Sequence, residues 1–269
     1  MKHGIICPVK YLEKFATKSD FHLILPHLFE KYPQYKEFYK NRSKDGDFII
    51  CDNSLFELGK CMDYKEVLEK AEEINASVVV GPEVFGSYAQ SLRLIYEFLE
   101  WKNKIGSKMK VLGIAQGKNI QEITDSFFHL NSMDGIDYLG LPFMLDNEEE
   151  DISVGIKSLT LRRVINRWSL TSLISLIGES EDIEIKPTHL FGLSDAVELQ
   201  KYKGSQYYWI HSNDSSSAFV HGFAGIKYSD RGLPCEKIAQ KLDFGLDVEL
   251  TQSQESFINY NIDKILSWL

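Results

Sequence analysis

The sequence predicts an α/β fold, a TIM-type (β/α)8 barrel that takes residues 1–269 as a single domain. Short apolar, often β-branched runs alternate with helix-period stripes along almost the whole chain, the signature of repeated βα units. The runs number eight, enough to close a ring: Phe21–Pro26, Phe48–Asp52, Ser77–Gly81, Lys110–Ala115, Ile136–Leu141, Ile185–Leu193, Tyr207–His211 and Phe219–Ile226. No Pro/Gly/Ser linker or charge block divides the 269 residues, which are 43% hydrophobic and 26% charged, so one large core is favoured over two small ones.

The first forty residues are the least regular. Gly4 to Pro8 reads as an additional strand covering the bottom or side of the barrel, and Tyr32 to Tyr39 as an aromatic-rich helix or surface segment. After the second run, Asp63 and Glu66 make a capping box ahead of a helix whose apolar face carries Tyr64, Val67, Leu68 and Ala71. Tyr88, Leu92, Ile95 and Leu99 mark the next helix, and Ile120, Ile123, Phe127 and Leu130 the one after. Residues 155–178 read as a helical stretch broken near Ser169 to Thr171, Asp195 to Tyr202 as a short helix, and the tail from about Glu255 as a helix with Ile258, Ile262, Ile265 and Leu269 on one face.

A net charge of −9 gives no general attraction to phosphate backbones, so a nucleic-acid partner needs a local basic surface. Lys157, Arg162, Arg163 and Arg167 form the main candidate, beside Lys102, Lys104, Lys108 and Lys110 and the pair Lys201 and Lys203. The four cysteines are scattered without a CxxC pair, which fits a reducing interior, and no apolar run reaches the roughly 20 residues of a membrane span. The expected location is the cytoplasm, with no membrane partner.

In such a barrel the residues just after each strand converge although they lie far apart in sequence. The segment Trp209–His221 carries His211, Asp214 and the serine run Ser215 to Ser217, and a plain turn is the competing reading of it. The other strand ends supply Asp52, Asn53 and Glu57, then Glu83, Gln116 and Gly117, Gly140 and Phe143, and His189 with Gly192. Carboxylates that accept N–H groups, a glutamine with both polarities and bare backbone at Gly140 suit the edges of a flat heterocycle, with Phe143 or Phe85 over its face. His22, His27, His189, His211, Glu83 and Asp214 raise the alternative of a metal-dependent hydrolase, although His22 and His27 are five apart and point to opposite faces of a continuous strand. Phosphate-loop and dinucleotide fingerprints are absent.

The order of these motifs resembles the tRNA-guanine transglycosylase superfamily, with its queuine, archaeosine and phage-type DNA-modifying branches. The resemblance rests on Cys51-Asp52-Asn53-Ser54-Leu55-Phe56-Glu57, Val111-Leu112-Gly113-Ile114-Ala115-Gln116-Gly117, Tyr138-Leu139-Gly140-Leu141, His189-Leu190-Phe191-Gly192-Leu193 and Asp214, over roughly residues 48–221. It implies Asp214 as the nucleophile on the sugar and Asp52 as a catalytic residue at the guanine edge. Asn53, Glu83, Gln116, Gly117, Gly140, Phe143, His189 and His211 are then the base-binding set. The implied reaction replaces guanine in a nucleic acid with a 7-deazaguanine through an aspartyl-sugar intermediate and calls for no cofactor and no metal.

The chain departs from that family in lacking the zinc-binding Cys-x-Cys-x-x-Cys and its downstream histidine, and in carrying Gly81-Pro82-Glu83 and serines where the tRNA enzymes have a second aspartate and a Pro-Thr-Arg-like stretch. The expectation is therefore a barrel domain without a zinc subdomain or C-terminal RNA-binding domain, with DNA favoured over tRNA as substrate. A second copy or another protein is left open as a partner, and a non-catalytic barrel subunit partnering a transglycosylase is the remaining alternative.

Overall fold

The structure, a computed structural model, describes residues 1–143 and 155–269. Its eight strands are β1 (Lys2–Ile5), β2 (Phe21–Ile24), β3 (Phe48–Cys51), β4 (Val78–Val80), β5 (Lys110–Ile114), β6 (Tyr138–Leu141), β7 (Thr188–Leu190) and β8 (Ile210–Ser215). The helices are α1 (Leu12–Phe15), α2 (Pro33–Lys44), α3 (Leu55–Leu58), α4 (Tyr64–Glu73), α5 (Tyr88–Ile105), α6 (Ile120–Ser132), α7 (Leu159–Ser180), α8 (Ser217–Phe223) and α9 (Gln252–Leu266). The strands form one sheet in the order β1-β8-β7-β6-β5-β4-β3-β2, parallel wherever a register is defined, so the chain is a TIM-type (β/α)8 barrel. No helix among the described residues is long and apolar enough to cross a membrane.

Two compact units divide the residues. One holds 20–142 and 185–189; the other holds 1–19, 143–184 and 190–269.

In the first unit, β4 is three valines, all buried, as expected of a parallel strand covered on both faces. Asp63 caps α4 by accepting from the Lys65 and Glu66 amides, so the helix starts where the sequence signalled. The aromatics of α2 turn inward: Tyr35, Phe38 and Tyr39 are buried, and the Tyr35 hydroxyl accepts the Leu25 amide at 3.1 Å.

In the second unit the sequence expectation needs three corrections. Phe219–Ile226 is not a strand: Ser217–Phe223 is α8, and the eighth strand of the sheet is β1 at the amino-terminal end. The tight seat of α8 against α9 explains the apolar run, since a Cβ on Gly222 would stand 2.6 Å from the Ile258 backbone. The strand expected at Tyr207–His211 runs instead over Ile210–Ser215, through His-Ser-Asn-Asp-Ser. Burial of those polar groups is possible because they find partners inside the unit: His3 Nδ1 and Asn213 Oδ1 are 2.6 Å apart, and the Ser217 amide donates to Ser215 Oγ. Finally, α7 is not broken near Ser169 to Thr171. Thr171 and Ser172 donate their hydroxyls back to the Arg167 and Trp168 carbonyls, which keeps them inside the helix.

Candidate functional site

Four of the expected residues come together at the ends of β3, β4 and β5. Asn53 donates its amide nitrogen to the Gly81 carbonyl at 2.9 Å and to Glu83 Oε1 at 3.1 Å, while its Oδ1 accepts the Leu55 amide. Gln116 donates from Nε2 to Glu83 Oε2, and its Oε1 accepts the Gly86 amide at 2.9 Å. Main-chain partners therefore fix which way both amides face, and both present N–H to the same carboxyl group. Asp52 accepts the Ser54 amide at 3.0 Å, with Ser54 itself in the left-handed region at φ 63°.

Glu83 is buried, and burial pushes its carboxyl up to about 7 against the weaker opposing pull of the Gln116 and Asn53 amides. Cys61, which sequence reading left without a role, donates its thiol to the Glu83 carbonyl at 3.1 Å and accepts the Glu83 amide at 3.4 Å. Its thiol is pushed up to about 12 by burial, with both Glu83 and Asp52 adding to the rise. Phe56, in α3, and Phe85, shortly after β4, are about half exposed, at 47% and 56%.

Packing requires a glycine at 117: a Cβ there would lie 2.6 Å from Glu122 Cβ and from the Ile123 nitrogen at the start of α6. The Gly140 carbonyl accepts the Ala115 amide in the β5–β6 ladder. His189 does not join the site. It is fully buried, with its ring 5.6 Å from that of Phe21, which stacks on Phe48; both phenylalanines begin their strands, so His189 faces the end of the sheet opposite Glu83.

A second cluster lies in the other compact unit. Three consecutive residues after β7 each engage one charged side chain through the backbone. The Phe191 carbonyl accepts Arg167 Nη1, the Gly192 amide donates to Asp214 Oδ1 at 2.9 Å, and the Leu193 carbonyl accepts Lys237 Nζ. Gly192 is left-handed at φ 58°, and a Cβ on it would strike the Phe143 ring at 2.8 Å. Lys237 lies 4.3 Å from the centroid of that ring and the Arg163 guanidinium 5.5 Å, so Phe143 carries cations on its face rather than a flat base.

Lys237 is a functional candidate that sequence reading missed, because it sits in the irregular stretch between α8 and α9 with no pattern around it. Its amine is pulled down to about 8, by burial first and then by Arg167, with Asp214 opposing. Arg167 corrects the expectation of a basic nucleic-acid surface. It is fully buried and grips Glu198 with two bonds of 2.7 and 2.9 Å, while Tyr202 donates to the same carboxylate at 2.6 Å. Of the expected basic group Lys157 is exposed and Arg162 and Arg163 are half-buried. His211 is the second residue of β8 and stands at that strand's start, three positions before Asp214.

Of the histidines considered as metal ligands, His22 is paired with Asp47 at 2.8 Å and His27 with Ser54 Oγ at 2.8 Å. Among the described residues no three His, Cys, Asp or Glu side chains gather closely enough to hold an ion.

No family model matches the chain, and no curated protein matches it. Among solved structures, N-acetylneuraminate lyase from Mycoplasma synoviae is similar over 80% of this chain and 68% of that one, with 12% identity and a TM-score of 0.44. The expected replacement of guanine in a nucleic acid is corrected by the residues it would use: Arg167 is bound to Glu198 instead of facing a polymer, and His189 and His211 stand away from the strand ends where a base would be read. What stands is a TIM-type barrel.

Proposed function

We propose that the chain is an enzyme that binds a small flat molecule rich in N–H groups at the ends of β3, β4 and β5, and that Glu83 moves a proton on it. The observation that carries this reading is the Glu83 carboxyl itself: buried at a strand end, pushed up to about 7, and held by two neutral amides whose other ends are pinned by main chain. A carboxyl with that pKa is populated in both forms at neutral pH, which is what general acid–base work needs. Fixed amides keep the group in one orientation in either form. Asp52, on the neighbouring strand end, adds a second acceptor for N–H donors, and the half-exposed rings of Phe56 and Phe85 suit a planar ligand.

Two small heterocycles of the same size test the binding half. Isocytosine offers adjacent N–H groups to a carboxyl, whereas cytosine offers an acceptor beside its amine. Calorimetry on the full chain should find isocytosine bound more tightly, with at least a tenfold loss in Glu83→Gln; equal binding of the two, no binding, or an unaffected variant overturns the assignment. Carboxyl-carbon NMR tests the proton-transfer half. A Glu83 midpoint near 7 is expected, and a midpoint in the ordinary glutamate range removes the acid–base role.

A further inference from the structure

Lys237 lies in a setting that the Glu83 site does not use. Three cationic side chains, Arg163, Arg167 and Lys237, crowd around Phe143 and the segment Phe191–Leu193. Two of them cannot respond to that crowding, because a guanidinium keeps its proton at any physiological pH, whereas an ammonium can lose one. Among the described residues, the carboxylates that face the group are Glu198, held by the Arg167 fork, and Asp214, held by the Gly192 amide. Lys237 as a whole residue keeps partial exposure to solvent.

We infer that Lys237 is a carbonyl-reacting amine, held by the Leu193 carbonyl, the Phe143 ring and the charges of Arg163, Arg167 and Asp214 so that its Nζ forms an imine with a small aldehyde or ketone. The neutral amine attacks the carbonyl carbon and the carbon–oxygen π bond opens. The nitrogen then gives up its two hydrogens, which leave with the carbonyl oxygen as one water, and a carbon–nitrogen double bond replaces the carbon–oxygen one. No oxidant or reductant takes part. The lowered pKa of the amine fits this role: the free-amine form, scarce for an ordinary lysine at neutral pH, is well populated here. The adjoining ring shields one side of the nitrogen from water.

The test is competitive reductive alkylation of the full chain with glycolaldehyde and cyanoborohydride, read lysine by lysine by peptide mass spectrometry. At pH 7 Lys237 should be labelled at least about tenfold faster than Lys10 and Lys264, whose amines are raised by carboxylate partners, and its rate should climb with a midpoint near 8. Lys237→Arg, which keeps the cation, should leave the labelling of all other lysines unchanged while removing the fast site. Labelling of Lys237 no faster than Lys10 in the wild-type chain overturns the inference without recourse to a variant. So does fast labelling with no dependence on pH between 7 and 9.

Discussion

Glu83, shortly past β4, and Glu198, in the helical turn Ala196–Tyr202 that follows β7, are both buried glutamates, yet they are held in opposite ways. Glu198 meets a guanidinium fork and a tyrosine hydroxyl, so its charge is answered inside the protein and Arg167 is raised further above its ordinary value. Glu83 meets two neutral amides, which are too weak to offset burial, and its carboxyl rises to about 7. The difference separates a carboxylate that fixes structure from a carboxyl that is free to exchange a proton. Burial alone marks neither.

Removing the cation should break the comparison hardest. Arg167→Met leaves Glu198 charged in a dry site, a loss of about 3–5 kcal/mol by urea unfolding; a loss below about 1 kcal/mol would mean the ion pair does not hold the unit together. Next comes the pH response of Glu83. Between 4.5 and about 7 the folded chain keeps a proton that the unfolded chain releases, so stability falls as pH rises through that window. The fall amounts to about 3 kcal/mol, and Glu83→Gln should abolish this slope in a series of melting temperatures.

Gln116→Leu strips Glu83 of a donor that lowers its pKa and leaves the Gly86 amide without its acceptor. The expected cost is roughly 1–3 kcal/mol, with the Glu83 midpoint moving upward by carboxyl NMR. The smallest effect belongs to Tyr202→Phe, about 1 kcal/mol, because the Arg167 fork still holds Glu198; a cost as large as that of Arg167→Met would make the hydroxyl, not the fork, the chief support.

Much of the fold was legible because helices α4, α5, α6 and α9 carry regular apolar stripes, and β3 to β6 are short apolar runs between them. The strand-end residues Asp52, Asn53, Glu83 and Gln116 could be read for the same reason: placing a strand also places the residues at its carboxyl end. β8 was hard to delimit because its polar residues are satisfied by partners such as His3, more than two hundred positions away, which no local pattern reveals. Ser217–Phe223 misled for the converse reason, since apolar content alone does not tell a buried strand from a short buried helix. Lys237 and Cys61 had no signal at all. Each acquires its setting from backbone groups, the Leu193 carbonyl for one and the Glu83 peptide for the other, and backbone groups are identical in every sequence.

The parallel register of Lys2–Ile5 on Ser212–Ser215 bears on how the protein is made. During translation β1 leaves the ribosome some 210 residues ahead of the strand it is hydrogen-bonded to. Its edge must wait through the synthesis of six intervening strands, and joining it to β8 is a long-range step that cannot begin until synthesis has reached Ser215. A stalled or shortened nascent chain is thereby left with an open strand edge, the kind of surface that chaperones meet first.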